Sequence, residues 1–200
     1  MPKLSPQVMA ARREAIVDAA ASAFADGAFE PPSTAEIARR AGISEGLIYR
    51  YFPNKHALLL TVLRRFSDEM IGGLEERVFA AEGFGQRLNL LVHHYLAGLV
   101  ANPAFSRLYM AEVRAGEQGG EAASMLTERP RLIWQRIMAE GLAAGEVRPD
   151  AGHRLTREII WAVIERAAAL HHENVLRAPL EDTARRVAGL LAQGISSPAK

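Results

Sequence analysis

Apolar residues recur along this chain at the three- and four-residue steps of an α-helix, and no two-residue strand pattern stands out. Leu59, Leu63, Phe66 and Met70 form one stripe, Leu88, Val92, Tyr95 and Leu99 a second, and Leu180, Ala184, Val187 and Leu191 a third. Punctuation falls between them. Ser5 with Pro6 opens a first helix expected to end near Gly27, before a proline-rich crossover FEPP; Gly72-Gly73 bends or ends the helix from Lys55, and Asn102-Pro103 breaks the next. Further helices are predicted over 104–115, over 122–144 with a kink at Pro130, over 153–173 and over 180–193, set off by GEQGGE and GLAAGEVRPD. The fold class is therefore all-α. A three-helix N-terminal domain, 1–54, precedes a helical bundle over 55–200, joined by the long helix from Lys55.

The most informative stretch is 33–52, STAEIARRAGISEGLIYRYF. Ser33 or Thr34 can cap a helix, and Glu36 stands three residues after Ser33 as a capping box requires. Ile37, Ala38 and Ala41 supply a narrow apolar face. Gly42 then offers the left-handed conformation that ends a helix, and Ile43 packs back. Ser44 caps a second short helix, predicted over Glu45–Phe52 and stopped by Pro53, and Asn54 caps the next. A helix, a glycine turn and a short helix make a helix-turn-helix, the unit that lays its second helix in the major groove of DNA. Ile48 and Phe52 face the core with Leu47 near the edge, which leaves Ser44, Gly46, Tyr49, Arg50 and Tyr51 for other surfaces. With Lys55, these supply the hydroxyl and cationic donors that phosphates and base edges accept. Gly46 removes a side chain where the helix must approach a DNA backbone closely.

On these residues the N-terminal segment, from about Arg13 to Leu63, resembles the DNA-binding domain of the TetR family of bacterial transcriptional regulators. The pattern comprises Ile16, Ala19, Ala20, Phe24 and Gly27, then Thr34, Ile37, Ala38, Ala41, Gly42, Ser44, Gly46, Tyr49, Phe52, Lys55 and Leu58. The resemblance implies that Thr34, Ser44, Gly46, Tyr49, Tyr51 and Lys55 contact DNA, chiefly phosphates, while Leu47 and Arg50 sit where base choice varies. Two residues depart from it. Glu45 stands where many members carry Lys, Ser or Pro; facing phosphate its carboxylate would repel, whereas at a helix N-terminus it complements the dipole. Leu47 cannot hydrogen-bond a base, although it can touch a thymine methyl group.

Composition narrows the setting. The 200 residues are 49% hydrophobic and 24% charged, and none is Cys, so neither disulfides nor thiol ligands are available. The N-terminus lacks a signal-peptide core, and apolar runs such as LLLTVL fall far short of a membrane span; a cytoplasmic protein without membrane contact is expected. Net charge is +1 but unevenly spread. Residues 1–66 hold nine Lys and Arg against six acids, and the remainder fifteen against seventeen. A mildly basic head on a mildly acidic body steers the head toward DNA.

The last two helices carry more apolar surface than one small body hides. The TetR resemblance implies that they pair with a second copy, and Ile160, Val163, Ile164, Ala167, Leu180, Ala184, Val187 and Leu191 are assigned to that homodimer interface. A two-fold dimer lets one short reading helix per chain bind two half-sites of a palindromic operator. The body between Phe84 and Trp161 is expected to hold an effector pocket, lined by Tyr95, Leu99, Tyr109, Met110, Met125, Trp134, Met138 and Trp161. The segments NPAFSRLYMAEVR and IMAEGLAAGEVRPD are similar to members of the family that regulate fatty-acid metabolism and sense acyl-CoA, which makes an acyl-CoA or another apolar small molecule the expected effector. No cofactor, metal site or catalytic constellation is expected. His93-His94 and His171-His172 are adjacent, so their side chains point roughly 100° apart and cannot chelate one ion. The chain thus reads as a ligand-released repressor and not an enzyme. Its rival is a DNA-binding dimer that recruits a protein partner without sensing a small molecule.

Overall fold

The structure is a computed structural model that describes residues 5–26, 32–116, 121–152 and 154–197, with the backbone alone at 116 and 121–124. Ten α-helices run through the described residues: α1 Pro6–Asp26, α2 Thr34–Ala41, α3 Glu45–Ile48, α4 Lys55–Ile71, α5 Leu74–Ala80, α6 Phe84–Ala101, α7 Pro103–Gly116, α8 Glu121–Ala143, α9 Arg154–His172 and α10 Leu180–Ile195. A 3₁₀ turn covers Pro149–Gly152. No strand occurs among them, and one antiparallel bridge joins Val147 to Ser196. The expected end of α1 at Gly27, most of the FEPP crossover, residues 117–120 of the GEQGGE loop and the predicted helix start at His153 lie outside the described residues.

The helices gather into two compact units. The first takes α1 to α3, α4 as far as Ser67, and α7 from Ala104 with the start of α8 to Leu126. Its core is built from Ile16, Val17, Ala20 and Phe24 of α1, Ile37 and Ala38 of α2, Ile48 of α3, Phe52, and Leu58 and Val62 of α4. Phe105 and Leu108 of α7 pack against that core. The Phe105 ring stacks on Phe66 at 5.3 Å between centroids, and Tyr109 meets Phe66 edge-on at 6.2 Å. Ser67 Oγ and Tyr109 Oη both donate to the Leu126 carbonyl, at 3.1 and 3.3 Å.

The second unit comprises Asp68–Pro103 and 127–197 among the described residues, with α6 at its centre, packed on α5, α9 and α10. The stripe Leu88, Val92, Tyr95 and Leu99 is buried as its spacing predicts. At Gly98 an added Cβ would stand 2.3 Å from Met70 Cγ, so the glycine lets that side chain lie against α6. The C-terminal residues close onto the end of α8: Arg148 N–H donates to the Ile195 carbonyl at 3.0 Å, and Ser197 N–H to that of Glu146 at 2.8 Å. The turn before α5 is held by Gly73 at φ 71°, and no sequence signal singles out α5 itself.

His94 on α6 is locked in one tautomer. Arg77 donates to its Nδ1 at 2.5 Å, so Nε2 carries the proton and donates to the Met70 carbonyl at 2.5 Å. Burial lowers the His94 pKa from its ordinary 6.5; the Met70 bond opposes the shift, and the Arg77 and His93 charges add to it. A depressed histidine binds its proton more readily in the unfolded chain, so stability is full above the ordinary value and declines as pH falls below about 6.5. Urea denaturation followed from pH 8 to pH 5 should show this decline, and His94→Gln should flatten it.

Candidate nucleic-acid interface

α2 begins where its cap allows. Ser33 has extended backbone at φ −71° and ψ 156°, and its hydroxyl accepts from Glu36 N–H at 3.1 Å. Glu36 does not reach back as a capping box would; its carboxylate takes Arg40 at 2.8 Å instead. Arg40 also reaches across to Asp26 at 2.5 Å and Ser22 at 3.2 Å on α1. The hydrogen bonds it donates to Asp26 and then to Glu36 raise its pKa further, so this cationic strut stays charged at any physiological pH.

The turn follows from Gly42. It sits at φ 65°, ψ 32°, and its N–H and that of Ile43 return to the Arg39 and Ala38 carbonyls at 3.3 and 3.0 Å. This double closure is the Schellman arrangement, which needs a residue free of Cβ strain in the left-handed region. Ser44 then occupies the N-cap of α3, although its hydroxyl makes no capping bond. α3 is shorter than predicted, Glu45–Ile48 rather than Glu45–Phe52. From Arg50 the backbone tightens to i→i−3 closure, Arg50 to Leu47 and Tyr51 to Ile48, before Pro53 turns the chain away. Asn54 restarts it, its side-chain oxygen accepting from Ala57 N–H at 2.8 Å at the start of α4.

This geometry puts the residues expected to meet DNA around one short helix. Ser44, Gly46, Tyr49 and Arg50 are exposed, with Tyr49 at 49%. Leu47 and Lys55 are half-buried, and Tyr51 packs partly on the head's core. Gly46 is required by neither backbone nor packing: its φ is not positive, and an added Cβ would meet nothing within 4 Å among the described residues. Thr34 is buried, and its hydroxyl donates to the Glu45 carboxylate and lies 3.3 Å from Tyr49 Oη. Sequence reasoning missed that triad, because Thr34 and Glu45 are eleven residues apart and meet only through the turn. It also missed the pair of His56 Nε2 with Glu112, at 2.9 Å, which ties the start of α4 to α7.

Two other sets of expected residues are redistributed. Of those assigned to a dimer interface, Ile160, Ile164, Ala167 and Ala184 are buried within this chain. They face inward because α6 packs on α9 and α10 and claims one stripe of each. Leu180, Val187 and Leu191 are half-buried, and Val163 is exposed at 38%. The large exposed apolar residues of these helices are Leu155, Ile159, Val163 and Leu190, three of which follow one another at four-residue steps on α9. The pocket residues divide between the units. Tyr95, Leu99, Trp134 and Met138 are buried in the second, where the Tyr95 and half-buried Trp161 rings lie 4.7 Å apart. Tyr109 is buried in the first unit with half-buried Met110, while Met125 is exposed. The paired histidines serve as structural donors or acceptors, His171 with Thr183 at 3.1 Å and His172 with the Val100 carbonyl at 3.3 Å. No cluster of three metal-ligating side chains occurs among the described residues. No described helix is long and apolar enough to cross a membrane.

Comparison with known proteins agrees with this geometry. Residues 16–62 match the family described as bacterial regulatory proteins, tetR family. The chain is 24% identical over 181 residues to the fatty acid metabolism regulator protein of Bacillus subtilis, covering 90% of this chain and 93% of that one. It is 29% identical over 206 residues to the HTH-type transcriptional regulator RutR of Escherichia coli, covering 94% and 92%. Among solved structures, FadR from Bacillus subtilis in complex with stearoyl-CoA superposes with a TM-score of 0.76 at 24% identity, over 91% of this chain and 98% of that one. These relatives are transcriptional regulators, not enzymes.

Proposed function

We propose that this chain, whose residues 16–62 match the tetR family of bacterial regulatory proteins, is a repressor that binds a palindromic operator as a homodimer and is released by a small apolar effector. The observation that carries the DNA-reading part is the surface of α3. Exposed Ser44, Tyr49 and Arg50 surround a glycine that neither fold nor backbone demands. A glycine with open space around it in the free chain is explained by a partner that comes close, and a DNA backbone is such a partner. In this reading Thr34, Ser44, Tyr49, Tyr51 and Lys55 position the protein on phosphates, and Arg50 and Leu47 face base edges. The functional boundary lies at 54/55, with effector binding and dimerisation in 55–200, and the protein works in the bacterial cytoplasm.

Dimerisation rests on the outward stripe of α9. Leu155, Ile159 and Val163 are exposed at 60, 50 and 38%, and a second copy is the partner that would cover them. Effector binding rests on buried Tyr95, Trp134 and Met138 and half-buried Trp161 of the second unit. An acyl-CoA is the first candidate, because a relative of the same fold has been solved holding one. An effector can release DNA only by favouring a dimer geometry in which the reading helices no longer span successive major grooves, about 34 Å apart. α4 is the proposed lever, since one continuous helix carries both Lys55 and Met70.

Substitutions and titrations test this function. On a selected operator, Lys55→Ala should weaken all sequences alike and lower the salt slope by about one for each phosphate the protein then leaves unneutralised. Arg50→Ala should instead relax preference at particular positions by roughly 1–3 kcal/mol each, and equal weakening on every sequence would refute base reading. Val163→Glu, which places a charge on an exposed residue of each chain, should leave the monomer folded by circular dichroism but cost roughly 3–5 kcal/mol of dimer stability where it is buried unpaired. The variant should sediment as a monomer and lose operator affinity; a wild-type monomer at micromolar concentration would contradict the dimer. Operator binding titrated with long-chain acyl-CoAs, then aromatic amphiphiles, should fall. If affinity is unchanged and thermal shifts show no binding, the partner-recruiting dimer replaces the sensor.

A further inference from the structure

We propose that Glu45 is an internal brake on DNA-backbone contact, holding by its carboxylate the hydroxyl that α2 would otherwise offer to a phosphate. The inference rests on the DNA-binding reading and deepens it by assigning a role to the one acidic side chain on the reading helix. Thr34 is one of four buried polar residues among those described, and its hydroxyl has a single proton. That proton is directed to the Glu45 carboxylate, and Tyr49 Oη stands 3.3 Å from the same hydroxyl. Two of the donors assigned to phosphate are therefore grouped around a negative charge in the free protein. Glu45 itself is exposed, so nothing in the fold requires its charge to be buried there.

The consequence is competitive. Thr34 cannot give one proton to Glu45 and to a phosphate together, so seating the backbone means breaking the Thr34–Glu45 bond. Like charges then face each other across one hydroxyl unless the carboxylate swings away. Such an opposing charge lowers affinity for every sequence and subtracts from the counterions released on binding. Glu45 is thus a positioning residue that sets overall affinity, acting through Thr34 and Tyr49.

The test uses the full-length protein with Glu45→Gln, which retains a carbonyl acceptor for Thr34, and with Glu45→Ala, which does not. Both are measured on the selected operator and on random duplex DNA over a range of salt. The expected result for Glu45→Gln is tighter binding to both DNAs, on the order of tenfold at low salt, with a salt slope steeper by about one per protomer. Glu45→Ala, which removes the charge and the acceptor together, should steepen the slope equally and tighten binding at least as much, because it also frees the Thr34 hydroxyl. Weaker operator binding with altered preference at one base pair would overturn the brake and make Glu45 a base reader, accepting from cytosine N4. Unchanged affinity and slope in both variants would overturn it too, leaving the Thr34 bond a packing contact. Failure of the DNA-binding reading looks different: the wild type would then enrich no sequence and bind neither DNA.

Discussion

The one-residue reversal at Gly42 is the constraint on which the head depends. Ile37 and Ala38 lie before it and Ile48 and Phe52 after it, and all four are buried in the same core with α1. They reach that core together only if α2 ends in a left-handed residue and α3 starts within a few positions. Everything proposed to meet DNA inherits its position from this closure. Tyr49 and Arg50 point outward because Ile48 and Phe52 are held inward, and Glu45 meets Thr34 because the turn folds α3 back against the start of α2.

The first unit is tied around this turn by contacts of mixed kind. Arg40 links α2 to α1 through Asp26 and Ser22, Arg65 links α4 to Asp18 of α1 at 2.5 Å, and the Arg13 guanidinium lies 4.9 Å from the centre of the Phe52 ring. Each ion pair is partly solvated and contributes little alone, about 0–1 kcal/mol. Their common effect is geometric, because they hold three helices in register around a core of buried apolar residues. A reading surface on rigid helices loses less freedom on binding than one on loops.

Most of the architecture is legible in the chain because its signals are local. Caps at Ser33 and Asn54, the turn at Gly42, the break at Asn102-Pro103 and the stripe Leu88, Val92, Tyr95 and Leu99 each depend on residues within a turn or two. What the sequence hides is mostly long-range. Stripes on α9 and α10 announce apolar faces, but one-dimensional spacing does not say whether α6 or another molecule covers them. Ile164 and Val163 are neighbours in sequence, yet one is buried and the other exposed. α7 joins the first unit through Phe66, Phe105 and Tyr109, about forty residues apart, and no local pattern announces such a pairing. α3 falls short of Phe52 because the backbone closes by i→i−3 bonds at Arg50 and Tyr51 before Pro53 turns the chain away.

The central claim is that α3 and its surroundings read a DNA sequence in two symmetric copies. Selection of bound duplexes from a random pool by the full-length protein, followed by sequencing, tests it most directly. The account predicts enrichment of one palindrome whose half-site centres lie about one helical turn, or a whole number of turns, apart. A pool that stays random through successive rounds at moderate salt, or that yields a single unrepeated half-site, would contradict it.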